Sequence, residues 1–167
     1  MNACIAIMPP EAAIQAIEDA MRPYMDRMAS VVPKNRWYVP LVSIQEQEDR
    51  LRAFSAAPGP IHEQYTQTVK ILSIGEGKDP LQLWAYLQTT PGILEFRKSI
   101  IAYLAENTIA TIPDTKEFIP HIFLGAYEQV STLGIPDSPI QITCPVQEIF
   151  LLHIDPYEVL GSIPVTP

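Results

Sequence analysis

Apolar positions along the chain recur with two periods. Ala3 to Met8 is a continuous apolar run of strand length, and Pro9-Pro10 ends it while pre-setting a helix start. Beyond it Ile14, Ile17, Met21, Tyr24 and Met28 recur at helical intervals, with Glu18, Asp19, Arg22 and Arg27 falling largely elsewhere on the wheel. That pattern predicts an amphipathic helix packed on a sheet. Pro23 removes a backbone donor inside it and predicts a kink or a division into two pieces. Val31 to Asn35 reads as a loop, Arg36 stands at the entrance of the next strand, and Trp37 to Ile44 is that strand. Pro40 lies within it and cannot donate to a ladder, so the strand is at an edge or is bulged there.

Gln45 to Phe54 predicts a short helix and Ala56 to Pro60 a loop. Two strands follow, Tyr65 to Ile74 and Leu81 to Leu87, joined by a turn over Gly75 to Pro80 whose glycines have the wrong spacing for a phosphate-cradling loop. Thr90-Pro91 has the form of a cap plus first helical position, and Ile93, Phe96, Ile100, Tyr103 and Leu104 supply one apolar helix face. Phe118 to Tyr127 is a further strand, and a helical turn over Tyr127 to Leu133 would end at Gly134 with Pro136 beyond it. Strands at Ile140 to Cys144 and Val146 to Ile154 and a proline-bearing tail close the chain. Helices and strands mix without strict alternation, which predicts an α+β fold.

Composition narrows this picture. The 167 residues are 47% hydrophobic and 18% charged, enough apolar material for one domain or two small lobes sharing an interface. The 17 prolines are scattered rather than tandem, so they punctuate loops and helix starts. A formal charge of −8 repels polyanions, so extended nucleic-acid binding is not expected, although a local positive pocket for one nucleotide end is compatible with it. Cys4 and Cys144 lie inside apolar runs without paired metal-type spacing and read as buried, reduced thiols, a disulfide being the lesser alternative. The N-terminus has no basic segment ahead of its apolar run, and no run approaches the roughly 18 residues of a membrane span. A soluble, cytoplasmic protein with no membrane association is expected.

The candidate chemistry sits on two short strands. The two-residue period puts His121 and Phe123 on one face and Ile122 and Leu124 on the other. In the earlier segment Tyr38 and Pro40 share a face, with Val39 and Leu41 packing away from it. His62 reads as a solvated residue at the start of a strand, and His153 as a structural residue near a strand end. The three histidines are too dispersed for a metal site. Glu46, Glu48 and Asp49 read as an exposed helix start, and the ordinary account of His121 is a strand histidine satisfied by hydrogen bonds.

In this order the chain resembles the 2H phosphoesterase superfamily, in particular its 2'-5' RNA ligase and cyclic phosphodiesterase branch. The likeness runs along nearly the whole chain: Cys4 to Pro10 resembles the opening strand and entry to the first helix, Trp37 to Leu41 falls at the first motif, Pro120 to Leu124 at the second, and Glu148 to Asp155 at the family's ending. The resemblance implies one domain over residues 1–167, built as two pseudo-symmetric lobes, each an antiparallel sheet with outer helices, around a central cleft. The family motif is His-x-Thr or His-x-Ser. It places an imidazole beside a hydroxyl on one strand face, and two such motifs supply a base and an acid on opposite sides of a cyclic phosphate, with no metal or cofactor.

Three of the four motif positions depart from that pattern. Tyr38 replaces the first histidine, Pro40 and Phe123 replace the two hydroxyls, and only His121 is kept. A tyrosine with an ordinary pKa near 10 is a poor base at neutral pH, and proline and phenylalanine offer phosphate no donor. The expectation is therefore a degenerate site: His121 the one remaining catalytic candidate, and Tyr38, Pro40 and Phe123 lining a cleft that holds a small nucleotide-like or other small molecule, or a partner. The alternative is a residual or altered 2',3'-cyclic phosphodiesterase acting on nucleotides or RNA ends. The ligand and the oligomeric state stay open.

Overall fold

The computed structural model describes residues 2–64, 67–78, 81–127 and 138–167. Its first strand, β1 (Asn2–Ile7), is buried along nearly its whole length, as a continuous apolar run requires of a strand covered on both faces. Pro10 precedes α1 (Glu11–Met21), which buries Ala13, Ile17 and Met21. Pro23 does divide the predicted helix. A tight helical segment, Arg22–Arg27, takes over at that point and ends before β2 (Met28–Val31), so Met28 belongs to a strand and not to the helix face.

The predicted edge strand is β3 (Val39–Gln45). Both readings of Pro40 hold at once, because β3 is the outermost strand of its sheet and its register against β1 shifts there, Ile5 facing Val42 and Ala6 facing Pro40. Leu41 is the extra residue, and the bulge lets Leu41 and Val42, consecutive in sequence, both enter the core. Next come α2 (Glu48–Ala56), the short β4 (Ile61–His62) and the antiparallel pair β5 (Gln67–Glu76) and β6 (Gln82–Leu87). The helix α3 (Pro91–Glu106) carries the predicted cap: Thr90 Oγ1 accepts from the Ile93 N–H at 3.2 Å.

The second half comprises β7 (His121–Tyr127), β8 (Ser138–Val146), β9 (Glu148–His153) and β10 (Glu158–Thr166). The proline-bearing tail is thus a strand. Gly161 and Pro164 obscure it in the sequence, but it pairs with β9 through a bulge between Val159 and Gly161. The helical turn expected over Tyr127 to Leu133 falls largely outside the described residues.

Two five-stranded sheets result, ordered β3-β1-β9-β10-β4 and β2-β7-β6-β5-β8. Among the described residues the strand pairs are antiparallel, as expected, apart from a short parallel pairing of β10 with β4 at the edge of one sheet. The architecture is α+β. Helix α1 packs on β5 and β8, α2 on β10, and α3 against β3, β4 and β5. One core draws from both sheets, with Ala3, Ile5 and Ile7 of β1 meeting Val69, Ile71, Ile122 and Leu124. The alternate β1 residues, Cys4 and Ala6, join Leu152 in a smaller cluster on the opposite face, against which Tyr38 and Tyr157 pack. No helix among the described residues is long and apolar enough to cross a membrane.

Candidate functional site

Tyr38 and Tyr157, which pack against the second cluster, line a cleft. Trp37 is buried and its indole N–H donates to the Val32 carbonyl at 2.9 Å, which fixes the chain just ahead of β3. Strand alternation then turns Tyr38 and Pro40 away from the core while Val39 and Leu41 enter it. On the other sheet Ile122 and Leu124 are fully buried, and His121 and Phe123 face the opposite way. All four motif-position residues line one cavity of about 310 Å³. Val32, Arg36, Ile154 and Tyr157 complete its described walls.

His121 is held on two sides. Its Nδ1 lies 2.8 Å from the Ile119 carbonyl oxygen, and a carbonyl only accepts, so Nδ1 carries the proton and Nε2 is left as an acceptor. Its ring stacks on Trp84 with centroids 3.7 Å apart and planes 13° from parallel. Burial lowers the pKa of His121 from its ordinary value, outweighing the Ile119 hydrogen bond, which favours the charged form. The imidazole is therefore neutral at pH 7. Two further cavities, of about 360 and 400 Å³, share His121 as a wall residue, and Lys116 borders both of them.

Tyr38 is in a different condition. Its ring stacks on Tyr157 at 6.2 Å, and Tyr157 in turn carries the Arg36 guanidinium 5.5 Å from its centroid. Burial first, and then the neighbouring Cys4 and Tyr157, push the Tyr38 phenol up to about 12. Cys4, buried in the cluster against which Tyr38 packs, is likewise raised to about 12 by burial. A group that keeps its proton at neutral pH, Tyr38, thus stands at the first motif position.

The other histidines lie elsewhere. His62 is exposed on β4, its Nδ1 2.9 Å from Thr166 Oγ1, and His153 is buried at the end of β9. Cys4 and Cys144 are free, buried thiols on different sheets. Arg36 and Tyr157 escaped the sequence reading as cleft residues. Arg36 was legible only as a cation beside the first motif position, and Tyr157 comes from the turn joining β9 to β10, with no local spacing to announce it.

No family model matches the chain, and no curated protein matches it in sequence. Solved structures do match it in shape. TT0787 of Thermus thermophilus superposes with a TM-score of 0.71 at 18% identity, covering 98% of this chain and 97% of that one. E. coli LigT complexed with NADP+ gives 0.71 at 18% identity over 99% and 98%. The MHV ns2 PDE domain gives 0.53 at 11% identity over 87% and 88%. The two sheets and their order of elements give this chain a LigT-like fold.

Proposed function

We propose that this chain is a cytoplasmic binding protein whose cleft holds a small molecule without turning over a cyclic phosphodiester. One observation carries the reading: the residue that lines the cavity with His121 at the first motif position is Tyr38, whose phenol is raised to about 12. Opening a cyclic phosphate needs one group to take a proton from water and another to protonate the leaving oxygen, and the lost member costs about 10² to 10⁴ in rate. Pro40 and Phe123 add no hydroxyl for the phosphate oxygens. Binding itself is compatible with the fold, since E. coli LigT has been solved with 3'-AMP, with ATP and with phosphate.

A second reading rests on His121. Its anchored Nδ1 leaves an unprotonated Nε2, the form a general base requires, and this favours a residual 2',3'-cyclic phosphodiesterase acting on nucleotides or RNA ends. Hydrolysis of 2',3'-cyclic AMP separates the two. The wild-type chain is expected to show no turnover, and the combined variant Tyr38→His, Pro40→Thr, Phe123→Thr to gain it, because these changes restore both motifs. Enzyme-like turnover by the wild type that disappears in His121→Ala overturns the binding reading and establishes the second.

A further inference from the structure

The walls of the cleft define the chemistry of what fills it. Phe123 and Ile154 are each 40% exposed although both line the cavity, so apolar surface stands open to solvent inside a concave site. Covering such surface with an apolar ligand is favourable at about 25 cal/mol per Å². Tyr38 and Tyr157 present a second aromatic wall, stacked on each other with planes 24° apart. Pro40 offers neither a side-chain donor nor a backbone N–H.

One charge stands in this apolar setting. Arg22, Arg50, Arg52 and Arg97 each hold a carboxylate within 3.2 Å. Arg36 pairs with none among the described residues. The ring of Tyr157 is its partner instead, and a guanidinium held over a ring still has its in-plane N–H donors to give. Those donors match the two oxygens of a planar carboxylate in a bidentate pair. A phosphate dianion presents more acceptor oxygens and more charge, and the described walls of this cavity hold no lysine and no second arginine to meet them. Three side-chain polar groups of the described walls remain beside Arg36: the Tyr38 hydroxyl, which has no hydrogen-bond partner among the described residues, the Tyr157 hydroxyl, which donates to the Met8 sulfur at 3.9 Å, and the accepting Nε2 of His121.

We propose that the ligand of this cleft is an aromatic monocarboxylate, its carboxylate on Arg36 and its ring between the Tyr38–Tyr157 wall and Phe123. This rests on the binding reading above and names its ligand class. Tyr38 and His121 then read polar substituents on the ring, one able to donate and the other accepting. The two hydroxyl positions of the family motif have become apolar because the occupant is no longer a phosphate.

Calorimetric titration of the full chain with indole-3-propionate, its primary amide, 3'-AMP and inorganic phosphate tests this. The acid is expected to bind roughly tenfold to a hundredfold tighter than the amide, the difference that a charge-assisted pair makes. Arg36→Gln should erase that difference, and Phe123→Ser should weaken acid and amide alike. Arg36 is exposed and the one described contact of its side chain is with the Tyr157 ring, so the thermal midpoint of its variant should stay close to that of the wild type. Equal binding of acid and amide, or no binding of either, overturns the ligand class. If 3'-AMP binds unhydrolysed while the acid does not, the ligand class falls and the binding reading stands. Turnover of 2',3'-cyclic AMP removes the binding reading whatever the acid does.

Discussion

The imidazole of His121 lies face to face on the indole of Trp84, 3.7 Å between ring centroids. Trp84 can approach so closely because the turn beneath it has Gly77, where a Cβ would come within 2.6 Å of the indole nitrogen. The indole N–H is satisfied by Gln82 Oε1 at 2.8 Å, so the ring is fixed at its edge as well as on its face. The stack removes water from one side of the imidazole, and it is burial that lowers the His121 pKa.

The sign of the resulting pH dependence follows from that shift. In the unfolded chain His121 titrates near 6.5, and in the folded chain below it. Across the window between the two values the unfolded state binds more protons, so the contribution is complete above about 6.5 and is lost as pH falls through the folded value. Nuclear magnetic resonance titration should give an imidazole pKa below 6.5. His121→Gln should lose less thermal stability than the wild type between pH 7 and pH 5. A measured pKa above 6.5 contradicts the account.

Tyr38 gives the mirror image at alkaline pH. Its folded value, about 12, lies above the ordinary 10, so its contribution is full below 10 and fades as pH rises through the folded value. Ultraviolet difference absorbance of wild type against Tyr38→Phe should isolate a phenol that ionises only near 12. A Tyr38 that ionises with the exposed tyrosines removes the desolvation argument, and with it much of the case against Tyr38 as an acid/base group.

Arg97 fixes the segment that delivers His121. From α3 its Nε donates to the Leu41 carbonyl at the bulge, 2.7 Å away, while another of its nitrogens reaches Asp114 at 2.6 Å. Its guanidinium also sits 3.8 Å from the Phe118 ring centroid. One side chain therefore joins the Tyr38 strand to the approach of β7. Arg97→Met keeps most of the stem but strands the Leu41 carbonyl, and should cost about 2 kcal/mol in denaturant unfolding, since hydrogen bonds from a charged donor are worth about 1.5–3 kcal/mol. A loss below about 0.5 kcal/mol would mark the contact as incidental.

Gly125 is required where β7 passes β2. A Cβ there would fall 2.2 Å from the Ser30 carbonyl oxygen and 2.4 Å from the Met28 methyl, and the backbone φ of +155° is itself unfavourable for other residues. The methionine can move aside; the carbonyl of a paired strand cannot do so cheaply. Gly125→Ala should destabilise the chain by about 1–3 kcal/mol, as overpacking does. Because β2 is an edge strand, hydrogen exchange of Met28 to Val31 should accelerate in the variant before that of β6.

Legibility varied with the kind of constraint. The alternation around His121 was readable because Ile122 and Leu124 must be buried, which leaves their neighbours the other face. Pro40 was readable because a missing N–H is tolerated in few places. Met28 misled because it continues a helical spacing across the Arg22–Arg27 segment, and β2 is too short and exposed to show a strand pattern of its own. Tail strand β10 hid behind Gly161, which sits where a Cβ would meet Ser55 at 3.0 Å, and behind Pro164. The four motif positions line one cavity, and the Arg36–Tyr157 pair beside them was not legible, since a cation–aromatic contact between a loop and a distant turn leaves no trace in local spacing.

Strand β1 has a consequence for how such a cleft changes over time. Its odd-numbered residues Ala3, Ile5 and Ile7 belong to the main core, and Cys4 and Ala6 support the two tyrosines from below. The position of the aromatic wall of the cleft therefore depends on side chains that do not line it. A methyl group added at Ala6 would raise the aromatic wall and make the site shallower with every contact residue unchanged. The shape of the cleft is adjustable from behind, through the thickness of a single strand.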